Sequence, residues 1–309
     1  MASYTADTVI EQCQAFIDMG DSNYLISTFV DRIQKLTDLS ESEKSDYIQK
    51  NAYMLQTYVL PAYQQLIKTV VELKDSGKNE EGLCYLPNGK EYYELTVQAS
   101  TGSARTVPQL QKLTKNQMKD DLAAMKAVIG LTAEQAKETA VMESTDPKEI
   151  LNSLSLDIQK TFPKLPQTSV EVKYVPKAME AHLSPAFYMI PALDDTEENV
   201  IYVNQAQMGN KLTLYTTLAH EGYPGHLYQT VYYASTKPDP LRSIFNFGGY
   251  VEGWATYAES FAYRYYQPET TDGQFAWLNR SLNLCIMSLL DTGIHYNGWN
   301  QARCATFYH

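Results

Sequence analysis

Pro224 constrains the fold of this chain more than any other residue, because it stands between two histidines that a regular helix would hold apart. The stretch reads Leu218-Ala219-His220-Glu221-Gly222-Tyr223-Pro224-Gly225-His226-Leu227-Tyr228-Gln229, and it holds two of the five histidines in 309 residues. His220 and His226 are six positions apart. At about 100° per residue, an undistorted helix would point them roughly 240° apart. Pro224 removes the amide that would bond the carbonyl of His220, while Gly222 and Gly225 tolerate dihedrals that other residues avoid. A kink or wide turn is expected here, and it would bring His226 back to the side of His220.

Two neutral imidazoles can hold a borderline-soft dication, and Glu221 beside the first is placed to take a proton from a metal-bound water. That composition fits a hydrolytic zinc site. The plainer alternative is a helix end that happens to carry two histidines. A second constellation, Gly248-Gly249-Tyr250-Val251-Glu252-Gly253-Trp254-Ala255-Thr256-Tyr257-Ala258-Glu259, supplies a candidate third ligand. Glu252 lies 26 residues beyond His226 in a helix of its own, and hydrolytic zinc sites commonly take two histidines and one glutamate, leaving a position for water. Glu259 shares its helical face about 10 Å further along, too far to bind the same ion. It is expected to support a ligand or to face substrate; a solvated helix face is its alternative.

A third constellation runs from Arg280 to Trp299. Arg280, Asp291 and His295 fall near one side of an otherwise apolar helix. Asp291 is placed to orient His295, and His295 to donate to a developing oxyanion. The alternative is a buried ion pair between Arg280 and Asp291 with a capping histidine.

The rest of the sequence reads as mainly helical with a small β-sheet. Val9, Cys13, Phe16 and Ile17, then Leu25, Phe29, Ile33 and Leu36, recur at helical spacing, and a longer stripe runs from Ile48 to Leu73 with a kink or restart at Pro61. Residues 75–91 are rich in Gly, Pro and Asn and predict a long loop. Helical patterning resumes at Leu110; Thr132 with Gln135 resembles a capping box, and Asp146-Pro147 opens a helix that stops before Pro163. After Pro166 the period changes to two. Val170, Val172 and Tyr174 mark a strand, and Ala186–Ile190 with Val200–Asn204 form a candidate hairpin around the acidic loop Asp194–Asn199. A helical scaffold over residues 1–165 and a metal-site region over 166–309, in one continuous domain, is the expected organisation.

A net charge of -11, with no cluster of Lys and Arg, argues against nucleic acid or an anionic membrane as partner and leaves peptides or small molecules. The four cysteines lack metal-ligand spacing and read as mostly buried thiols. No apolar run approaches the roughly 18 residues of a membrane span, and the N-terminus lacks a basic segment followed by an apolar one. The sequence assigns no compartment; a cytoplasmic protein and an exported one with its leader removed fit equally.

With these stretches in view, the protein resembles the bacterial family catalogued as domain of unknown function 885. The resemblance rests on Tyr85-Leu86-Pro87-Asn88-Gly89, Thr101-Gly102-Ser103, Ser184-Pro185-Ala186-Phe187-Tyr188, Tyr202-Val203-Asn204 and the three constellations above. It implies a zincin-like helical metallopeptidase architecture with zinc held by His220, His226 and Glu252 and with Glu221 as catalytic base. Tyr202 and Asn204 in these stretches, with Glu259, Asp291 and Arg280, are expected to support the ligands or touch substrate. Members of that family continue past the pair Gly298-Trp299 and carry more N-terminal sequence, so a catalytic region trimmed at both ends is expected. The expected function is zinc-dependent peptide hydrolysis. Its rivals are a peptide-binding protein whose metal is structural or lost, and a metal-dependent amidase or esterase acting on a non-peptide substrate.

Overall fold

A computed structural model describes residues 1–77, 79, 81–131, 144–181, 183–193, 198–266 and 271–308. The protein is mainly helical with one three-stranded sheet, and it forms two compact units. The first comprises Met1–Glu80 with Pro176–His182, the second Glu81–Val175 with Leu183–His309. The change of period at Pro166 falls inside the second unit. The expected capping box at Thr132 and part of the acidic loop after Asp194 lie outside the described residues.

In the first unit, α1 (Ser3–Asp18) and α2 (Tyr24–Gln34) are the two short helices expected from the spacing, and Asn23 caps α2 by accepting the Leu25 amide on its side-chain oxygen. α3 (Glu41–Met54) opens with a capping box in which Ser40 and Glu43 satisfy each other's amides. The break at Pro61 takes a specific form. Residues Leu55–Val59 make a π-helical turn, with the Leu60 amide reaching back to the Leu55 carbonyl, before α4 (Leu60–Leu73) begins. Pro61 has no amide for the carbonyl four residues behind it, so widening the preceding turn relieves the conflict. Phe16 stacks on Tyr63 at 4.2 Å and packs with Leu55 and Leu60 to form the small core of this unit.

The second unit contains α5 (Gly89–Thr101), α6 (Val107–Leu131), α7 (Pro147–Asp157), β1 (Ser169–Tyr174), β2 (Ala186–Met189), β3 (Glu198–Val203), α8 (Lys211–Glu221), α9 (His226–Ser235), α10 (Gly248–Tyr266), α11 (Asp272–His295) and α12 (Gln301–Tyr308). α5 was not legible in the sequence, because Tyr93, Leu95 and Val97 alternate as a strand would and only Tyr93 of the three is buried. Asp146 caps α7 by accepting the Lys148 amide at 2.7 Å, with Pro147 in the first turn. The hairpin forms as expected: β2 runs antiparallel to β3, while β1 lies parallel on the other side, giving the order β1-β3-β2.

β3 is therefore central and β2 is an edge. Ile201 and Val203 of β3 face the core, where Leu151 and Leu154 of α7 meet Leu218 of α8 and Leu227 of α9. Each such leucine, fully buried, contributes roughly 1.5–3 kcal/mol, and together they hold α8 against the sheet. α10 packs on α8, and α11 packs on both α6 and α10. Buried Asp121 ties α6 to α11 by accepting the Ser281 hydroxyl at 2.6 Å, while Gln117 satisfies its other oxygen at 2.8 Å.

Candidate functional site

The break at Pro224 divides the helix. α8 ends at Glu221 and α9 begins at His226, so the two histidines terminate different helices. Between them the backbone turns back on the last turn of α8: the Gly222 amide bonds the Leu218 carbonyl at 2.8 Å and the Gly225 amide bonds that of Ala219 at 2.9 Å. Trp254 of α10 donates its indole N–H to the Pro224 carbonyl at 2.8 Å, which anchors the turn to the helix that carries Glu252. In this geometry the imidazoles of His220 and His226 stand 4.8 Å apart, nearly perpendicular at 87°.

Gly225 is required by this turn. A Cβ there would lie 1.7 Å from the His220 carbonyl oxygen, a backbone atom that no rotamer can move. Gly225→Ala is expected to cost at least ~2 kcal/mol, in the upper range for single substitutions, and to lower Tm by several degrees. Gly253→Ala is the control. Nothing lies within 4 Å of a Cβ at that position inside α10, so it should be neutral or stabilising by about 0.5–1 kcal/mol. A Gly225→Ala protein as stable as the native one would show that the turn has room it does not display.

Glu252 reaches both imidazoles. Its Oε2 lies 3.5 Å from His220 Nε2 and its Oε1 lies 3.7 Å from His226 Nε2. Ligand atoms on a tetrahedral zinc, at bond lengths of about 2.0–2.1 Å, stand roughly 3.3–3.5 Å from one another, and the two distances from Glu252 to the imidazoles are close to that spacing. Glu221 is close as well. His220, Glu221 and His226 each offer a ligand atom, and these lie within 4.8 Å of one another. One oxygen of Glu221 is engaged by the sheet: Oε2 accepts the Tyr188 amide of β2 at 2.8 Å. The Asn204 amide bonds the Pro185 carbonyl at 2.8 Å, and with the β2–β3 register this directs the main-chain groups of Ala186 and Tyr188 to the free edge.

Behind the imidazoles lies Glu259, which is buried. Its Oε2 lies 3.2 Å from His220 Nδ1, and its Oε1 accepts from Tyr263 Oη and Arg280 Nε, each at 3.3 Å. With Nδ1–H donating to Glu259, the lone pair of His220 sits on Nε2, toward Glu252. Burial disfavours the charged form of His220, but the Glu259 hydrogen bond and the charges of Glu221, Glu259 and Glu252 outweigh it and raise its pKa. Burial raises the pKa of the Glu221 carboxyl; the same burial, with His220 alongside, lowers that of His226. Three carboxylates around two imidazoles favour a cation among them.

These groups line a cavity of about 1000 Å³, bounded by β2, α8, the N-terminal half of α9, α10 and α11. The structure thus brings together His220, Glu221, His226, Glu252, Glu259 and Arg280. It does not bring His295 there. His295 accepts the Leu83 amide at 3.2 Å through Nδ1, stacks on Tyr93 and lies 3.9 Å from Asp291, whose other oxygen accepts the Tyr93 hydroxyl. The oxyanion role expected of His295 does not fit this place, because α11 runs about four turns beyond Arg280 of the cavity wall before reaching it. The alternative pairing of Arg280 with Asp291 does not form either; Arg280 bonds Glu259.

Tyr202 stacks on Phe187 across β2 and β3 at 5.2 Å, and buried Asn204 bonds the Leu183 carbonyl and the Ala206 amide; neither lines the cavity. Two contributors escaped the sequence reading. Tyr263 follows Glu259 by one helical turn, a spacing that could have suggested its contact. Tyr188 acts through its main-chain amide, for which no side-chain pattern gives a signal.

A family model described as "Bacterial protein of unknown function (DUF885)" matches residues 1–309. A solved structure from Colwellia psychrerythraea, described as a "putative lipoprotein", is similar at a TM-score of 0.84 and 22% identity over 99% of this protein and 57% of its own length. Another from Shewanella oneidensis, given the same description and of unknown function, is similar at a TM-score of 0.55 and 18% identity over 96% of this protein and 58% of its own length. At these identities the likeness concerns the fold, and the 309 residues span little more than half of each. No curated protein matches the sequence.

Proposed function

Since the protein belongs to the DUF885 family of bacterial proteins of unknown function, we propose from its own site that it is a zinc-dependent, zincin-like hydrolase acting on peptides. The observation that carries this reading is the placement of both imidazole Nε2 atoms 3.5 and 3.7 Å from the single carboxylate of Glu252, inside a cavity that also holds Glu221. His220, His226 and Glu252 would hold the ion. Zinc, when bound, supplies a Lewis acid that acidifies water and polarises a carbonyl. Tyr188 pins Glu221 by one oxygen, which leaves Oε1 to take a proton from the attacking water and to return it to the leaving amine. Glu259 and Tyr263 hold the His220 ring in orientation.

A peptide substrate is favoured because β2, an edge strand, borders the same cavity, and an extended peptide can pair with those outward main-chain groups that Glu221 and Ser184 do not occupy. Elemental analysis of the purified protein, combined with hydrolysis of a mixed peptide library before and after chelation, tests the reading. One zinc per molecule and chelator-sensitive cleavage are expected; absence of bound metal after incubation with zinc would sink it. Glu259→Gln should keep the fold but weaken zinc about 10- to 100-fold in competition with a chelator, as loss of the group orienting a ligating imidazole does. Unchanged affinity would leave Glu259 without a part in the metal site.

A further inference from the structure

We propose that Arg280 recognises an ionised carboxylate on the substrate, one to three residues from the bond that is cleaved; this rests on the hydrolase reading of the cavity. Arg280 is the only lysine or arginine among the described residues that line the cavity. The other charged walls are Glu221, Glu252 and Glu259, which repel an anion. Any carboxylate that enters is therefore directed to the α11 side, where Asn279 and Asn283 add amides without adding charge.

The guanidinium is held for such a task without being used up. Nε donates to Glu259 Oε1 at 3.3 Å, and the guanidinium makes no further hydrogen bond to the described residues. A pair serving only to neutralise both partners gains most from two parallel bonds; here the two terminal nitrogens keep the fork that matches a carboxylate. The Arg280 side chain is 42% exposed while Glu259 is 6% exposed and braced by His220 and Tyr263, so a fixed anchor steadies an accessible cation. That preorganisation lowers the entropy cost of binding. Glu259 also bridges His220 Nδ1 and Arg280 Nε, which puts the guanidinium a short way beyond the metal-binding imidazole. The two bonds, 3.2 and 3.3 Å through one carboxylate, keep Nε within about 9 Å of Nδ1, and at ~3.3–3.6 Å per extended residue that reach corresponds to at most about three residues.

The carboxylate has two possible sources, the C-terminus of a peptide or an acidic side chain, and two matched peptide pairs separate them. The first pair differs only in a free or amidated C-terminus, the second only in Glu against Gln. Wild type is expected to lose about 100-fold in kcat/KM, mostly through KM, on the neutral member of one pair. Arg280→Gln should discriminate less than about threefold in that pair, whatever zinc affinity and Tm it loses with the bond to Glu259, and Arg280→Lys should recover part of the difference. Equal rates of wild type on both members of both pairs would overturn the inference. So would an Arg280→Gln protein slowed equally on charged and neutral peptides, since Arg280 would then only brace Glu259. If wild type cleaves no peptide, titration of chelator-treated protein with 3-phenylpropionate and with 3-phenylpropanamide decides the matter. A preference of about tenfold for the carboxylate, lost in Arg280→Gln, is expected; equal binding, or a preference that survives the substitution, refutes it independently of hydrolysis.

Discussion

Glu221→Gln is expected to retain zinc and fold while peptide hydrolysis falls by at least ~100-fold, the low end for losing a general base. The amide oxygen of Gln can accept the Tyr188 N–H that now binds Glu221 Oε2 at 2.8 Å, so the side chain stays where it is and only its proton affinity is lost. Burial raises the Glu221 pKa. Metal content and turnover must be measured on the same preparation. Equal turnover in both proteins removes Glu221 from the chemistry. Loss of zinc together with loss of turnover would instead make Glu221 a ligand, an outcome its position in the cluster of His220 and His226 allows.

His226→Ala should weaken zinc by at least ~100-fold, because two remaining ligands cannot complete a tetrahedral site. The imidazole is mostly buried at the start of α9, with its Nε2 3.7 Å from Glu252 and with His220 and Glu221 clustered beside it. Glu252→Gln, which keeps the shape and loses the charge, should also weaken the metal. His295→Ala should leave affinity unchanged, since that ring lies against Leu83 and Tyr93 and away from the cavity lining. Chelator competition ranks the four proteins. A His226→Ala protein that retains one stoichiometric zinc at wild-type affinity would defeat the ligand assignment.

Much of the local structure follows from rules that act over a few residues. A missing amide at Pro224 breaks a helix, and one at Pro61 widens a turn, whatever the rest of the protein does. Asp146 and Ser40 cap helices for equally local reasons, and the period-two runs pair as a hairpin because their apolar faces need the same core. The positions of His220 and His226 at a helix break, and of Glu252 and Glu259 two turns apart on one face, were legible at this level.

Which of these groups meet was a matter of packing. α10 lies on α8 in a register that points Glu252 at both Nε2 atoms and slides Glu259 behind His220, and a shift of one helical turn would take both carboxylates out of those positions. Arg280, Asp291 and His295 read as one polar line along a helix. α11 is long enough to run from the cavity at Arg280 to the Tyr93 contact at Asp291, so tertiary contacts split the line and gave Arg280 to Glu259. The amide of Tyr188 reaches Glu221 because β2 is an edge strand laid beside α8, and every residue but proline carries that same amide. Periodicity reports the face a side chain occupies; the partner it finds depends on how distant elements dock, and that is decided by the volumes filling the core between them.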